Sequence, residues 1–319
     1  MNRLLVLAAL LFALPAHATV TFDWVTVGDP GNACDSQSQG CFGAVSYEYQ
    51  ISKYEVTNAQ YAAFLNAVAA TDTNGLYNAN MGDPNLSRGG IARSGSPGSY
   101  TYSVIAGRGN RPVNWVSFYD ALRFANWLHN GQPTGAQDGT TTEYGAYNMY
   151  LGSSVVRRAG ARVFLTSEDE WYKAAYYDAG LGSYYDYPAG SDTLTTCAVP
   201  GSTPNTANCN GVGNVPTDVG SYTGSASPYG TFDQGGNVWE WNEAIIGSYR
   251  GLRAGCFDFP GSYLKASNPL EASPTSEYLD VGLRVASPGP PPVPALGPMG
   301  LLLVAAGLLG FGAYRRGRA

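Results

Sequence analysis

The sequence has 319 residues, a formal net charge of −6 and only 13% charged residues, about half the usual share for a globular protein. It is rich in Gly (41 residues) and Tyr (23 residues). This composition excludes an intrinsically disordered chain, which has few aromatic residues, and a coiled coil, which is rich in Ala, Glu, Lys and Leu. The acidic balance provides no basic face, so we expect no nucleic-acid partner.

The first 18 residues have the pattern of a secretory signal peptide. Arg3 precedes an apolar run at residues 4–14, and Pro-Ala-His-Ala follows at residues 15–18. A positive start, a short apolar stretch and small residues before the cut are typical of such signals, so we expect cleavage after Ala18. The alternative is a buried N-terminal helix. Cleavage would leave His129 as the single histidine, which excludes a site with two or three His ligands.

All five cysteines lie after the expected cleavage point, and export implies an oxidising compartment in which disulfides persist. Cys34 and Cys41 flank one flexible loop, and Cys197 and Cys209 flank another. We therefore predict these two local disulfides, with Cys256 left reduced, although spacing alone does not exclude other pairings. The sequence has no Cys-x-x-Cys motif, so we do not expect a structural zinc site.

Three short helices are predicted between long irregular stretches. The first begins at Thr57, which forms a capping box with Gln60, and the second begins at Ser117 and ends near Gly131. The third begins near Ser167, where acidic residues in the first turn suit the helix dipole. Strands are predicted at residues 47–56, 161–165, 253–257 and 281–286. Together these elements predict an α+β domain, residues 19–287, with little regular secondary structure.

Aromatic residues are predicted mostly to pack inside this domain. Trp115, Trp127, Trp171, Trp239 and Trp241 lie beside apolar positions, which favours core packing. The tyrosine-rich loop at residues 184–187 is interpreted as a packed loop, with stacking on sugars or peptides as the alternative. His129 falls at the end of the second helix, where a capping role is favoured over catalysis.

The C-terminal region reads as a linker followed by a membrane segment. Residues 288–298 are rich in proline and are predicted to stay extended, as a linker and sorting motif. Residues 299–319 contain an uncharged stretch and then a basic tail, which predicts a transmembrane helix with the main domain outside the cytoplasm.

This arrangement resembles the PEP-CTERM class of sorting signals, which exosortase-type transpeptidases recognise at the bacterial membrane. Residues 293–298 read Val-Pro-Ala-Leu-Gly-Pro where that class has Pro-Glu-Pro. The resemblance implies a sorting enzyme as partner and a periplasmic or cell-surface location after initial anchoring in the inner membrane. The alternative is a plain membrane anchor.

Five motifs, in the same order, resemble those of the formylglycine-generating enzyme, or sulfatase-modifying factor, family. They lie at residues 47–61, 112–117, 164–171, 236–241 and 282–286. The fourth, Gly-Asn-Val-Trp-Glu-Trp, is the most specific of them. The resemblance covers residues 47–286 and implies a low-regularity α+β fold related to C-type lectins.

The resemblance also implies calcium as a cofactor. Asp233 and Glu240 stand at the side-chain positions of the family's second calcium site, and Gly236 and Val238 would offer backbone carbonyls. Calcium prefers such an all-oxygen shell. Asn208 matches one ligand of the family's first calcium site, for which no acidic partner follows.

Active members of the family convert a target cysteine in Cys-x-Pro-x-Arg to formylglycine, using two cysteines that bind copper beyond an Arg-Gly-Gly-Ser element. Here residues 253–257 read Arg-Ala-Gly-Cys-Phe, and the two catalytic positions fall on Phe259 and Leu264. Cys256 is therefore the only candidate thiol, and a copper cofactor is not expected. Relatives that use non-haem iron need a histidine cluster, which this chain does not have.

These observations predict an exported, surface-anchored and non-catalytic binding module for a peptide, glycan or matrix component. The alternative is a formylglycine-generating oxidase that acts on a cysteine of sulfatases or of another exported protein.

Overall fold

The computed structural model describes residues 19–289. The predicted signal peptide, the linker beyond Gly289 and the predicted membrane segment at residues 299–319 lie outside the described residues, so these predictions stay predictions. Between residues 19 and 289, no helix is both long and apolar enough to cross a membrane.

Three α-helices form where the sequence predicts them. They are α1 (Asn58–Val68), α2 (Phe118–His129) and α3 (Glu168–Tyr176). The side chains of Thr57, Ser117 and Ser167 each accept a backbone N–H three residues on, and the side chain there reaches back to the cap. Gly131 follows α2 with a φ of +88°, a left-handed conformation that glycine adopts without strain. The predicted helix starts and the predicted end of α2 are therefore confirmed.

The strands are short and connected by long loops. They are β1 (Trp24–Val27), β2 (Asp35–Gln37), β3 (Gly40–Phe42), β4 (Tyr49–Ser52), β5 (Ile91–Ser94), β6 (Thr101–Val104), β7 (Phe164–Leu165), β8 (Tyr177–Asp178), β9 (Ser183–Tyr184), β10 (Thr196–Cys197), β11 (Thr206–Ala207), β12 (Trp239–Ile246), β13 (Tyr249–Arg253), β14 (Leu270–Ala272), β15 (Val281–Gly282) and β16 (Val285–Pro288). Short 3₁₀ turns lie at Ala79–Gly82, Met149–Ser154 and Gly261–Leu264.

Two four-stranded sheets organise the fold. The first has the order β1-β4-β16-β7, so strands from both ends of the described chain pair antiparallel to β4. The second has the order β14-β13-β12-β15, and its longest strand, β12, begins at Trp239 of the Gly-Asn-Val-Trp-Glu-Trp motif. Few helices and mixed sheets confirm the predicted α+β class.

All four predicted strands differ in extent from those observed. The strand predicted at residues 47–56 is the shorter β4, and the one predicted at residues 161–165 is the two-residue β7. The strand predicted at residues 253–257 is wrong, because β13 ends at Arg253 and the next two residues, Ala254 and Gly255, have positive φ angles that break the extended chain. The run at residues 281–286 forms two strands in different sheets, β15 and β16, with Leu283 and Arg284 buried between them.

The core is built largely from aromatic rings, as predicted. Phe64 of α1 packs edge-on against Phe124 of α2, with ring centroids 5.3 Å apart. Trp241 packs similarly against Phe118 at 5.9 Å. Four of the five named tryptophans are buried, and Trp115 is partly buried.

The tyrosine-rich loop at residues 184–187 is packed, as predicted. Tyr187 is buried, and Tyr184 packs against Tyr172 and Tyr177 with its hydroxyl donating to the carbonyl of Gly43. These rings serve the local packing of the loop.

Both predicted disulfides are present, and the third prediction about cysteine also holds. Cys34–Cys41 closes the β2–β3 hairpin, and Cys197–Cys209 links the β10–β11 region. Cys256 is free and buried. Short covalent rings of this kind restrict the unfolded chain, which helps loops with little hydrogen-bonded structure to stay ordered.

Candidate functional site

Two neighbouring residues of the Gly-Asn-Val-Trp-Glu-Trp motif have their side chains on opposite faces of one sheet. Successive side chains on a strand point to opposite sides, and Trp239 and Glu240 are the first two residues of β12. Trp239 lies at the floor of an open cleft, whereas Glu240 lies in a buried ion pair with Arg284. The motif therefore connects the cleft to the interior of the domain.

On the inner face, both carboxylate oxygens of Glu240 accept hydrogen bonds from neighbouring side chains. Arg284 Nε donates to Oε2 at 2.9 Å and Nη2 donates to Oε1 at 2.9 Å, while Trp171 Nε1 donates to Oε2 at 2.6 Å. Both charged side chains are fully buried. The guanidinium thus supplies the positive charge that the Glu240 carboxylate requires in a water-free site.

Asp233 lies close enough to this pair for the charges of Arg284 and Glu240 to act on it. Asp233 Oδ2 accepts the backbone N–H of Gly220 at 2.6 Å, and burial raises the pKa of Asp233 to about 6. Gly236 has a φ of +88°, and a Cβ there would collide with the carbonyl oxygen of Asn208, so only glycine suits this position.

The predicted calcium ligands do not all have free oxygens. Asn208 Oδ1 has no hydrogen-bond partner within residues 19–289, but both oxygens of Glu240 are taken by Arg284 and Trp171. Within the same residues, no group of three or more His, Cys, Asp or Glu side chains is arranged to hold a metal. Glu240 as arranged therefore does not fit a calcium shell. Calcium binding through Asp233, Gly236 and Val238, which the resemblance implies, is untested, and thermal melts in calcium and in chelator test it.

Glu55 is a member of this cluster that the sequence analysis missed. It is buried, and it accepts hydrogen bonds from Asn237 Nδ2 at 2.8 Å and from the backbone N–H of Val238 at 3.2 Å. Burial, together with the negative charges of Asp233 and Glu240, holds the pKa of Glu55 well above its ordinary value. Glu55 lies within the motif at residues 47–61, and this position could have marked it as a candidate site residue.

The free thiol lies beneath the cleft. Cys256 Sγ donates to Asp280 Oδ2 at 3.3 Å. Burial, and then the negative charge of Asp280, raises the pKa of the Cys256 thiol far above its usual value. The thiolate is the nucleophile and metal ligand, so the protonated thiol of Cys256 is chemically inert at neutral pH.

The two positions on which the resemblance places the copper-binding cysteines face different spaces here. Phe259 is partly buried and lines the cleft, with its ring 5.9 Å from that of Trp239. Leu264 is fully buried in a separate cluster with Tyr187, Ala207 and Cys209. Neither side chain offers a metal ligand.

The cleft itself has a volume of about 550 Å³, within the range of small-molecule sites. It lies on the second sheet, next to β14 and the segment that follows it. Its lining residues are Trp239, Tyr249, Leu252, Phe259, Leu270, Glu271, Ala272, Ser273, Tyr278, Asp280 and Val281. Tyr249 and Tyr278 are 47% and 48% exposed, which leaves two aromatic rings available to a ligand.

His129 does not contribute to either site. It is the last residue of α2, and its Nδ1 accepts the backbone N–H of Arg162 at 2.9 Å. Burial, together with the positive charges of Arg162 and Arg158, lowers the pKa of His129. The ring is therefore a neutral acceptor that ties α2 to the next segment, rather than the positively charged cap that we expected.

Comparison with known proteins relates the chain to enzymes and to other proteins of the same fold. Hercynine oxygenase of Mycolicibacterium smegmatis is 31% identical over 184 residues, which is 57% of this chain and 32% of that protein. The enzyme of the same name from Mycobacterium tuberculosis is 26% identical over 56% of this chain and 37% of its own length. The chain therefore spans only about a third of the length of these curated relatives.

Solved structures share the fold at low identity. Treponema denticola variable protein 1 has a TM-score of 0.53 and 19% identity, covering 86% of this chain and 98% of its own. CarF has a TM-score of 0.51 and 19% identity, covering 85% of this chain and 99% of its own.

The family described as "Sulfatase-modifying factor enzyme 1-like domain" matches residues 43–288, well over half of the chain. The match includes all five motifs, both sheets except β1, and every residue of the cleft. This chain belongs to the sulfatase-modifying factor family.

Proposed function

We propose that this protein is a non-catalytic binding module whose ligand site is the aromatic cleft. The observation that carries the proposal is that Phe259, where the resemblance implies a catalytic cysteine, lines the cleft with an aromatic ring. Exposed Tyr249 and Tyr278 provide flat, rigid contact area at low entropic cost.

The chemistry of the remaining thiol also supports binding without catalysis. One thiolate holds Cu(I) poorly, because high affinity comes from a pair of soft sulfur ligands. Cys256 is buried and protonated, and the other four cysteines form disulfides. No free cysteine remains to complete such a pair.

The binding role is tested by screening the purified protein on peptide and glycan arrays. We expect at least one class of ligand to bind, and we expect binding to be lost in Tyr249→Ala/Tyr278→Ala. Tyr150→Ala is the matched control, since Tyr150 is 70% exposed and does not line the cleft. Equal binding by the wild type, the double tyrosine variant and the control would show that the ligand does not bind in the cleft. No binding by the wild type would contradict the binding role.

A second candidate function is an oxidase or oxygenase activity, which the similarity to hercynine oxygenases favours. The chain covers only part of those enzymes, and its cysteines and histidines offer neither a copper pair nor a histidine cluster. An activity of this kind would need a metal site made by other residues. Oxygen uptake in the presence of a Cys-x-Pro-x-Arg peptide tests the formylglycine-generating form of this activity.

We further propose that the protein is exported and held at the cell surface by its C-terminal segment. The two disulfides support an oxidising compartment. Mass spectrometry of the native protein tests the role of a sorting enzyme, which predicts a new C-terminus near residues 293–298. Recovery of peptides that contain Arg318 would instead indicate a plain anchor.

A further inference from the structure

The cleft combines aromatic rings with acidic side chains. Glu271 is exposed at its rim, and Asp280 is partly exposed beside Tyr278. No Lys, Arg or His is among the lining residues given above. The charge of the cleft is therefore negative, in a protein whose net charge is also negative.

Arg88, whose positive charge acts on Asp280, already has a carboxylate partner, and burial raises the pKa of Asp280. Arg88 forms an ion pair with Asp258 at 3.5 Å, and its guanidinium lies 5.3 Å from the centre of the Phe257 ring. The Cys256 thiol donates to Asp280 but brings no charge. Asp280 thus has a hydrogen-bond donor but no dedicated positive partner.

We propose that the cleft binds a small organic ammonium ion, an inference that rests on the binding role proposed above and names its ligand class. A cation within about 6 Å of an aromatic ring is attracted by the negative face of the ring. The exposed rings of Tyr249 and Tyr278 provide such faces, and Glu271 and Asp280 provide the opposite charge.

Other ligand classes match these features less well. An anion would be repelled by Glu271 and Asp280 and would find no basic group in the lining. A neutral ligand would contact the rings but gain no charge attraction from Glu271 or Asp280. An alkylated ammonium ion matches both the aromatic rings and the acidic side chains. Its charge is spread over apolar methyl groups that can lie against a ring.

The test uses calorimetric titration of the purified full-length protein with choline and with 3,3-dimethylbutanol, which has the same shape without the charge. We expect saturable binding of choline, weakened by added salt, and no measurable binding of the alcohol. Tyr278→Ala should weaken choline binding roughly two- to fivefold, the scale of a cation–π contact at an exposed ring. Tyr278→Phe, which keeps the ring, should retain it.

Two further variants separate charge from packing. Glu271→Gln should weaken choline binding while leaving the thermal melt unchanged, because Glu271 is exposed. Tyr150→Ala should bind choline as the wild type does. Equal binding of choline and the alcohol, or no binding of choline, would overturn the ammonium assignment.

These outcomes are distinct from a failure of the binding role itself. If choline does not bind but an array ligand still depends on Tyr249 and Tyr278, the cleft is a binding site for another chemical class. If neither choline nor any array ligand depends on these rings, both proposals fail. Binding of a lysine-containing peptide without binding of choline would also contradict the small-ion proposal.

Discussion

Phe259 and Leu264, on which the family resemblance places the two copper-binding cysteines, face different parts of the molecule. The Phe259 ring packs 5.0 Å from that of Tyr263 at the cleft, whereas Leu264 is buried beside Tyr187 and Cys209. One of the two positions therefore lines an open cleft, and the other lies in a packed interior cluster.

Arg284→Met should strongly destabilise the domain. The change leaves the buried carboxylate of Glu240 without its partner, next to Asp233 and Glu55, and breaking a buried ion pair costs about 3–5 kcal/mol. Urea unfolding followed by tryptophan fluorescence measures this loss. Lys265→Met is the matched control, because both side chains of the Lys265–Asp186 pair are exposed and such pairs contribute about 0–1 kcal/mol.

The same experiment can separate the ion pair from simple packing. Adding Glu240→Gln to Arg284→Met should recover part of the lost stability, since the unpaired charge is removed. If the double variant is as unstable as the sum of the two single variants, the charge pairing is not the cause.

Cys256 should not react with thiol reagents in the folded protein. Its thiol pKa is raised by burial and by Asp280, so the thiolate is not populated even at pH 8.5, where an exposed cysteine is about half ionised. Ellman's reagent should label the protein only after unfolding. The raised pKa also means that unfolding releases a proton above pH 8.5, so Cys256 should make stability fall as the pH rises past that value.

Comparing the wild type with Cys256→Ala isolates that pH effect. The decline in stability above pH 8.5 should be steeper in the wild type. Rapid labelling of the folded protein at neutral pH would instead indicate an accessible, reactive thiol.

Thermal melts in calcium and in chelator should coincide. Calcium needs six to eight oxygen ligands, and it would have to displace Arg284 and Trp171 from Glu240 to use that carboxylate. A ligand that binds only the native state raises the melting temperature with concentration. A calcium-dependent rise would therefore contradict this geometry and support the metal site predicted from the sequence.

Local patterns predicted the helices and both disulfides because their causes are local. Capping at Thr57, Ser117 and Ser167 depends on side chains three residues apart, and each disulfide closes a short loop. The strand predicted at residues 253–257 failed because a positive φ at Ala254, a residue that rarely adopts one, is imposed by the tertiary fold.

The candidate site was predictable only in part. Sequence motifs located Asp233, Glu240 and Cys256, and the structure shows the first two in one buried cluster. The partners that decide their chemistry, Glu55 and Arg284, are distant in sequence and become neighbours only in the folded chain. The cleft likewise depends on how β14 and the segment after it lie beside β12, which no local pattern specifies.

Oxygen uptake during incubation with a Cys-x-Pro-x-Arg peptide, with and without added copper, tests the central claim most directly. The account predicts no oxygen consumption and no formylglycine in the peptide by mass spectrometry. It also predicts that Cys256→Ser leaves ligand binding unchanged, because Cys256 is buried beneath the cleft. Aldehyde product that forms with the wild type and disappears in Cys256→Ser would contradict the account and identify the protein as an oxidase.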